Sequence, residues 1–493
     1  MPTARSDLRL IPAIDTYPSL VRFAQTPVGK AAVLVIFGVG LMLHQKDWWL
    51  DALVILAGLT FWPGQRRWGV LAGTFYWLLR HSQFRWSVVT GVAQAEGVAE
   101  SIYWPLLQGG AVVAALLFCA GFHAAARAWP KRGPLRRPIA TLLISYAGLL
   151  TLGFYAPLPP VAHTAFWAFV TVLGSYLWFL GFSLLDRNAR DSPNFLFHLG
   201  YYLPFWMGNM WTTTPLAKGA GNLRRIEAKS AEELAVCQLK ALKLIFWAAG
   251  ILALHELVLA TVHGTAWRLP LPQPSFTLGL PTYQEVFAQS MGGNPAPWYT
   301  AWSALVTRFF VDLLSLAGAG HLVISVCRMA GYRALRNSWR PLRSTSIAEF
   351  WNRYFYYFKE LLVDFFFYPV YLRYFKGHPR VRLFAATLCA ACFGNLLFHY
   401  LDSVAYISEH GPWQTLLSMK VYALYALFLG TAIGISQLRS RNQQRHWLRE
   451  RVLAPLSVMT FYCVISVFDD LNRSTSVADH FAFLATLVGM GAG

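Results

Sequence analysis

The chain has 493 residues, of which 56% are hydrophobic, 16% aromatic and only 13% charged, against about 25% charged and 45–50% apolar in soluble domains. A water-soluble fold is excluded, and a mean hydropathy of +0.41 with long apolar runs points to a single polytopic α-helical membrane domain spanning 1–493. The 42 Lys and Arg exceed the 23 Asp and Glu by 19; they sit in short loops between apolar runs, not in a stripe interleaved with exposed aromatics, so nucleic acid is not an expected partner.

The first residues carry acids and prolines before any apolar run, unlike a cleaved signal peptide, and neither end has a lipidation motif. Residues 31–45 and 52–65 form a close apolar pair, followed by a short segment at 69–79 and a span at 101–126. The run 138–185 lacks Asp, Glu, Lys and Arg, and Pro157 to Pro160 divide it into a helical hairpin. Further elements are expected at 192–217, 244–263, 299–327, 349–375, 383–407, 421–438, 452–468 and 481–493. That makes about eleven to thirteen membrane elements, some of which do not cross.

Basic loops set the orientation. Arg127 to Arg137, Arg328 to Arg343 and Arg439 to Arg451 are expected in the cytoplasm, with Arg187 and Arg190 returning the chain there and 264–298 on the other side. Segments 192–217 and 349–375 have basic residues at both flanks, so each is expected to be re-entrant or in-plane.

The six cysteines show no zinc-type spacing, and Cys389 and Cys392 are expected to serve helix packing. No metal site is expected. His255 and Glu256 lack the second histidine of a zinc-protease helix, and no phosphate-binding glycine loop occurs. Arg308 and Asp312, four residues apart within a span, are expected to form a structural ion pair; a substrate path is the alternative.

Within 349–369, Asn352, Tyr356, Glu360, Asp364 and Tyr368 recur every four residues and are expected to form one polar stripe on an aromatic helix. An in-plane helix with its charges in the headgroups is the competing reading. In the next span His399 lies 17 residues past Arg382, or roughly 25 Å deep at ~1.5 Å per residue. Asn395 and Asp402 share its face. A neutral imidazole at that depth suits removal of a proton from a hydroxyl nucleophile, and a hydrogen-bonded packing histidine is the alternative.

Phe350, Trp351, Arg353, Asp364, Tyr368 and Pro369, followed by the buried His399, resemble the membrane-bound O-acyltransferase (MBOAT) superfamily, most closely its bacterial branch acting on alginate and teichoic acid. The resemblance covers about 345–405. In that branch a histidine follows the motif, where this chain has Tyr354, Phe355 and Tyr356, and the sequence around the catalytic histidine is loosened to Leu-Leu-Phe-His-Tyr. Asn352, within one turn, is the candidate replacement.

The resemblance implies a multipass inner-membrane enzyme of a bacterium with no bound cofactor. It would move an acyl group from acyl-CoA or an acylated carrier protein to a hydroxyl of an envelope glycan, lipid or secreted small molecule. His399 would be general base, and Asn352 or Asn395 the oxyanion donor. Trp351, Arg353, Tyr356, Glu360, Asp364, Asn395 and Asp402 would bind or position substrate, and the basic stretch Arg328 to Arg343 would hold donor phosphates. Membrane lipid and envelope-polymer export or modification proteins are the expected partners. The alternative is a transporter or flippase, or a catalytically lapsed member serving an export assembly.

Overall fold

The computed structural model describes residues 11–44, 47–81, 83–99, 104–186, 194–207, 214–267, 272–439 and 448–490. Among these residues the protein is all-α, its one extended pairing being an isolated bridge between Glu227 and Tyr332. Nine helices among the described residues are long and apolar enough to span a membrane: α1 (Pro27–His44), α2 (Trp104–Ala128), α3 (Pro138–Tyr155), α4 (Pro160–Asp186), α5 (Ala231–His263), α6 (Trp298–Met329), α7 (Pro379–Asp402), α8 (Lys420–Leu438) and α9 (Glu450–Phe468). Four of them open on proline, whose missing N–H costs nothing in a first turn. As expected, Pro160 starts the second arm of the α3–α4 hairpin. The segments expected at 192–217 and 349–375 are not among the spans.

Several boundaries differ from the sequence reading for identifiable reasons. Helix α5 begins at Ala231 rather than 244, because the Ser230 hydroxyl accepts from the Glu233 N–H and caps it. Its 33 residues extend about 50 Å, beyond a ~30 Å hydrocarbon core, so its charged first turns stand clear of the bilayer. Segment 383–407 is two helices: α7 ends at Asp402, and Val404–Ser418 follows with a bend at Gly411 (φ 85°) and Pro412. The C-terminal run 481–493 holds the short helix Val477–Thr486, started by a Ser476–Asp479 capping box. Within 192–217 lie a single turn of helix, Phe195–Leu199, and a 3-10 turn, Phe205–Met207; 192–193 and 208–213, like Arg187, Arg190 and Arg445, fall outside the described residues.

Contacts between remote residues divide the molecule into two faces. Asp15 binds Lys243 at 2.6 Å and Arg66 binds Glu227 at 3.0 Å, so the start of α1, the loop before Arg66–Arg80 and the start of α5 share the basic face. The short hairpin of Trp49–Phe61 and Arg66–Arg80 closes at its other end through Asp51, which accepts from Tyr76 at 2.6 Å and pairs with His81 at 2.7 Å. Helix α4 is the central post, with 83% of its apolar window buried, whereas only 17% of the α2 and α5 windows is buried.

Two π-helical turns, Val363–Phe367 and Cys389–Gly394, pack against each other. Such turns are rare and cluster at functional sites. Phe366 lies over Gly394, where an added Cβ would stand 2.6 Å from the ring. Cys392 packs on Gly430 of α8, with 3.2 Å between Cys392 Cβ and a Cβ built there, so Cys392 is in a helix-packing surface as expected, whereas Cys389 lines a cavity beside it. Gly394→Ala is expected to cost about 1–3 kcal/mol by overpacking. Thermal unfolding in detergent should show the loss, and Phe366→Ala in the same chain should relieve it.

Candidate functional site in the membrane interior

The end of α7 is recessed. Leu401, Asp402 and Val404 share a small cavity with Thr171, Gly174, Ser175 and Trp178 of α4. Those α4 residues lie roughly 17–27 Å along their helix at ~1.5 Å per residue, which puts His399, one turn before Asp402, at mid-membrane.

His399 is half-buried, and neither ring nitrogen has a hydrogen-bond partner among the described residues. Its surroundings are aromatic: Tyr422 at 4.6 Å between centroids, Phe398 at 5.3 Å and Phe358 at 6.2 Å. Phe398 stacks on Trp178 at 5.2 Å, and Trp178 on Phe365 at 5.8 Å. These rings fix the imidazole by shape and leave both nitrogens to a ligand. The nearest polar pair is Tyr422, whose hydroxyl donates to Asn395 Oδ1 at 3.1 Å. Neither residue donates to His399.

The expected polar stripe is not continuous. Phe355 (φ −130°, ψ 76°) breaks the segment into Ile347–Tyr354 and Tyr356–Leu362, and the π turn at 363–367 shifts the phase again. Asn352 is thereby turned away from His399, to an exposed position in a cavity of about 460 Å³ that also includes Lys240, Lys243, Arg328, Arg336 and Tyr356. Arg353 lines the same cavity, paired with Glu349 at 2.6 Å and lying over Trp339. Trp351 is buried and packs edge-on against Phe358.

Glu360 and Asp364 converge instead on Lys218, at 2.6 and 3.0 Å, and Glu360 also pairs with Lys359. Burial opposes the Lys218 charge, but the two carboxylates outweigh it and hold its pKa above the ordinary 10.5. Burial likewise opposes ionisation of Glu360, yet Lys218 and Lys359 hold it below 4.5. Asp364, with one cation and Glu360 beside it, is raised by burial above 3.8. Nothing in the sequence pairs Lys218 with this segment, because the partners are 146 residues apart.

Beyond His399, on the face opposite the basic loops, charged groups gather in a recess. Arg85 binds the Asp402 carboxylate at 2.9 Å. Arg473 donates to the Ser403 hydroxyl, which donates to the His399 carbonyl oxygen at 2.8 Å. The expected Arg308–Asp312 pair is present at 3.7 Å, and Arg308 also donates to the Asp469 carbonyl at 3.1 Å. Asp312 is 61% exposed although it lies about 21 Å into α6, a depth at which a carboxylate calls for a partner or water.

A larger basic cavity, of about 1050 Å³, was not legible in the sequence. It lies between Arg66–Arg67, Arg224–Arg225 and the start of α5, with Lys30 and Lys229 on its wall and Asp186 and Glu227 as its acids. Among the described residues no group of three or more His, Cys, Asp or Glu could hold a metal ion.

The chain is thus a polytopic all-helical membrane protein with a mid-membrane histidine between a basic face and a charged recess. Compared with known proteins, it matches no family model and no curated protein sequence.

Proposed function

We propose that the protein is a membrane-embedded O-acyltransferase in which His399 acts on an acceptor hydroxyl. The observation that carries this reading is an imidazole at mid-membrane whose nitrogens have no hydrogen-bond partner among the described residues, walled by aromatic rings, with the charged groups Arg85, Asp402 and Arg473 about one turn beyond it. A neutral imidazole there can take the proton of an attacking hydroxyl and return it to the leaving thiol. The cavity at Lys240, Lys243, Arg328 and Arg336, basic on balance although Asp15 lines it and pairs with Lys243, suits the phosphates of acyl-CoA or of a carrier-protein prosthetic group. The charged side chains Arg85, Asp402 and Arg473 on the opposite side suit a polar acceptor such as an envelope glycan. The motif resemblance over 345–405 points the same way, and an MBOAT-type bacterial inner-membrane enzyme is the finer assignment that goes with it.

Asn352, on the cavity side, belongs with donor binding rather than with the oxyanion. Asn352→Ala is accordingly expected to raise the donor KM several-fold and leave kcat within about twofold. Asn395→Ala, which frees Tyr422, should lower kcat about tenfold or more. Steady-state kinetics on the purified variants separates the two.

The founding experiment compares envelope polymers and metabolites by mass spectrometry with and without the protein, together with thioester consumption by the purified chain. Acylated product and donor turnover that both depend on the protein support the proposal. If the donor is untouched and a substrate crosses the membrane unmodified, the transporter reading takes its place. The partly exposed Arg308–Asp312 pair is the observation that favours that second reading.

A further inference from the structure

A separate cavity opens beside the α3–α4 hairpin. Its volume is about 660 Å³, within the range that holds a sizeable ligand. Leu143 and Ile144 of α3, Phe365 and Phe366 of the π turn, and Phe393 and Leu397 of α7 supply apolar wall. Ile144 is 72% exposed and Phe393 56% exposed, on helices whose outward surfaces face hydrocarbon, so the cavity is open sideways to the bilayer.

Its polar end is made of Arg136, Arg137 and Arg373. Arg136 and Arg137 end the loop just before α3 begins at Pro138, and Arg373 follows the short helix Tyr368–Tyr371. All three are exposed, and none has a carboxylate partner among the described residues. The one acid on the wall, Asp364, is held by Lys218 at 3.0 Å. Three unpaired guanidinium groups therefore stand on the basic face at the mouth of an apolar groove that enters the membrane beside them. Scattered surface arginines would not need such a groove, and a groove for apolar chains alone would not need three cations.

We infer that this cavity binds one anionic phospholipid from the leaflet on the basic face, its phosphate on Arg136, Arg137 and Arg373 and one acyl chain along Ile144, Phe393 and Leu397. Basic pockets between membrane helices select anionic headgroups in this way. The lipid's chain would lie against Phe366, which rests on Gly394, and so would brace the paired π turns that precede His399. The site is independent of the acyl-transfer proposal, since lipid retention requires no chemistry.

The test uses the full chain in nanodiscs of phosphatidylcholine containing a minor fraction of phosphatidylglycerol. Native mass spectrometry after detergent extraction is expected to find one retained phosphatidylglycerol. A phosphatidylglycerol with a diazirine in its chain should label peptides containing Ile144 and Phe393. Changing Arg136, Arg137 and Arg373 together to Gln should lower retention at least about tenfold, and changing all three to Lys should keep most of it. If the Gln variant fails to fold, Ile144→Trp, which narrows the groove and leaves the arginines intact, should reduce chain labelling. His399→Ala should retain the lipid as the parent does, whatever becomes of its activity.

Equal labelling by phosphatidylcholine and phosphatidylglycerol probes overturns the inference, as does parental retention in a folded Gln variant. Displacement by palmitoyl-CoA at lower concentration than by added phosphatidylglycerol would assign the cavity to an acyl donor and overturn the phospholipid assignment.

Discussion

Replacing His399 with alanine is expected to lower acyl transfer by about 10²–10⁴-fold, the usual contribution of a general base, while the protein still inserts and purifies. The structural basis for the second half of this expectation is that His399 makes no side-chain hydrogen bond to the described residues, so its removal strands no buried partner. The ring does fill space between Tyr422 and Phe358, and His399→Gln keeps much of that volume without supplying a base near neutrality. Both variants should therefore be inactive and monodisperse. Activity within a few-fold of the parent would remove the imidazole from the mechanism, and loss of folded protein in both would make His399 a packing residue.

The second large effect is on stability. Lys218→Met is expected to destabilise the protein by about 3 kcal/mol or more, because it leaves Glu360 and Asp364 facing each other, each largely out of water, without their shared cation. Combining it with Glu360→Gln and Asp364→Asn removes the stranded charges and should recover most of the loss. Unfolding curves in detergent for the single and triple variants check this.

The pH dependence has a definite sign. The Lys218 contribution is complete below 10.5 and is lost as pH rises through the raised ammonium pKa. That of Glu360 is complete above 4.5 and is lost as pH falls through its lowered value. Asp364, raised above 3.8, works against the cluster as it ionises. The triple variant should lack all three responses.

The spans were legible because apolar runs and first-turn prolines are local signals, and α3, α4 and α8 lie close to their expected limits. The depth of His399 was legible only in part: a count along α7 puts it in the last turn of that helix, and its mid-membrane position follows from the packing of that end against the middle of α4. The Arg308–Asp312 pair followed from spacing alone. The stripe from Asn352 to Tyr368 failed because it assumed one uninterrupted helix, and neither Gly nor Pro marks the break at Phe355. The π turns leave no trace in a 3.6-residue pattern. Lys218 with Asp364, Arg85 with Asp402 and Arg66 with Glu227 are 146, 317 and 161 residues apart. Such pairings are products of tertiary packing, and a single sequence carries no local sign of them.

The π turn at Cys389–Gly394 amounts to one extra residue spliced into an otherwise α-helical rod. Deleting a residue there would let α7 relax to regular α-helix of nearly unchanged length. Everything beyond the splice would then keep its bearing relative to Arg382, because the π turn under-winds by about the 100° that one residue adds; relaxing it to α-helix with no residue deleted would instead swing the rest of α7 by about 100°. His399 would leave Tyr422 and turn toward a different wall of the bundle, while hydropathy, charge and span count stayed the same. The bearing of the imidazole is therefore set by the under-wound turn at 389–394 as much as by the residues around it, and a change that straightened that turn into α-helix would move His399 without touching any residue of its site.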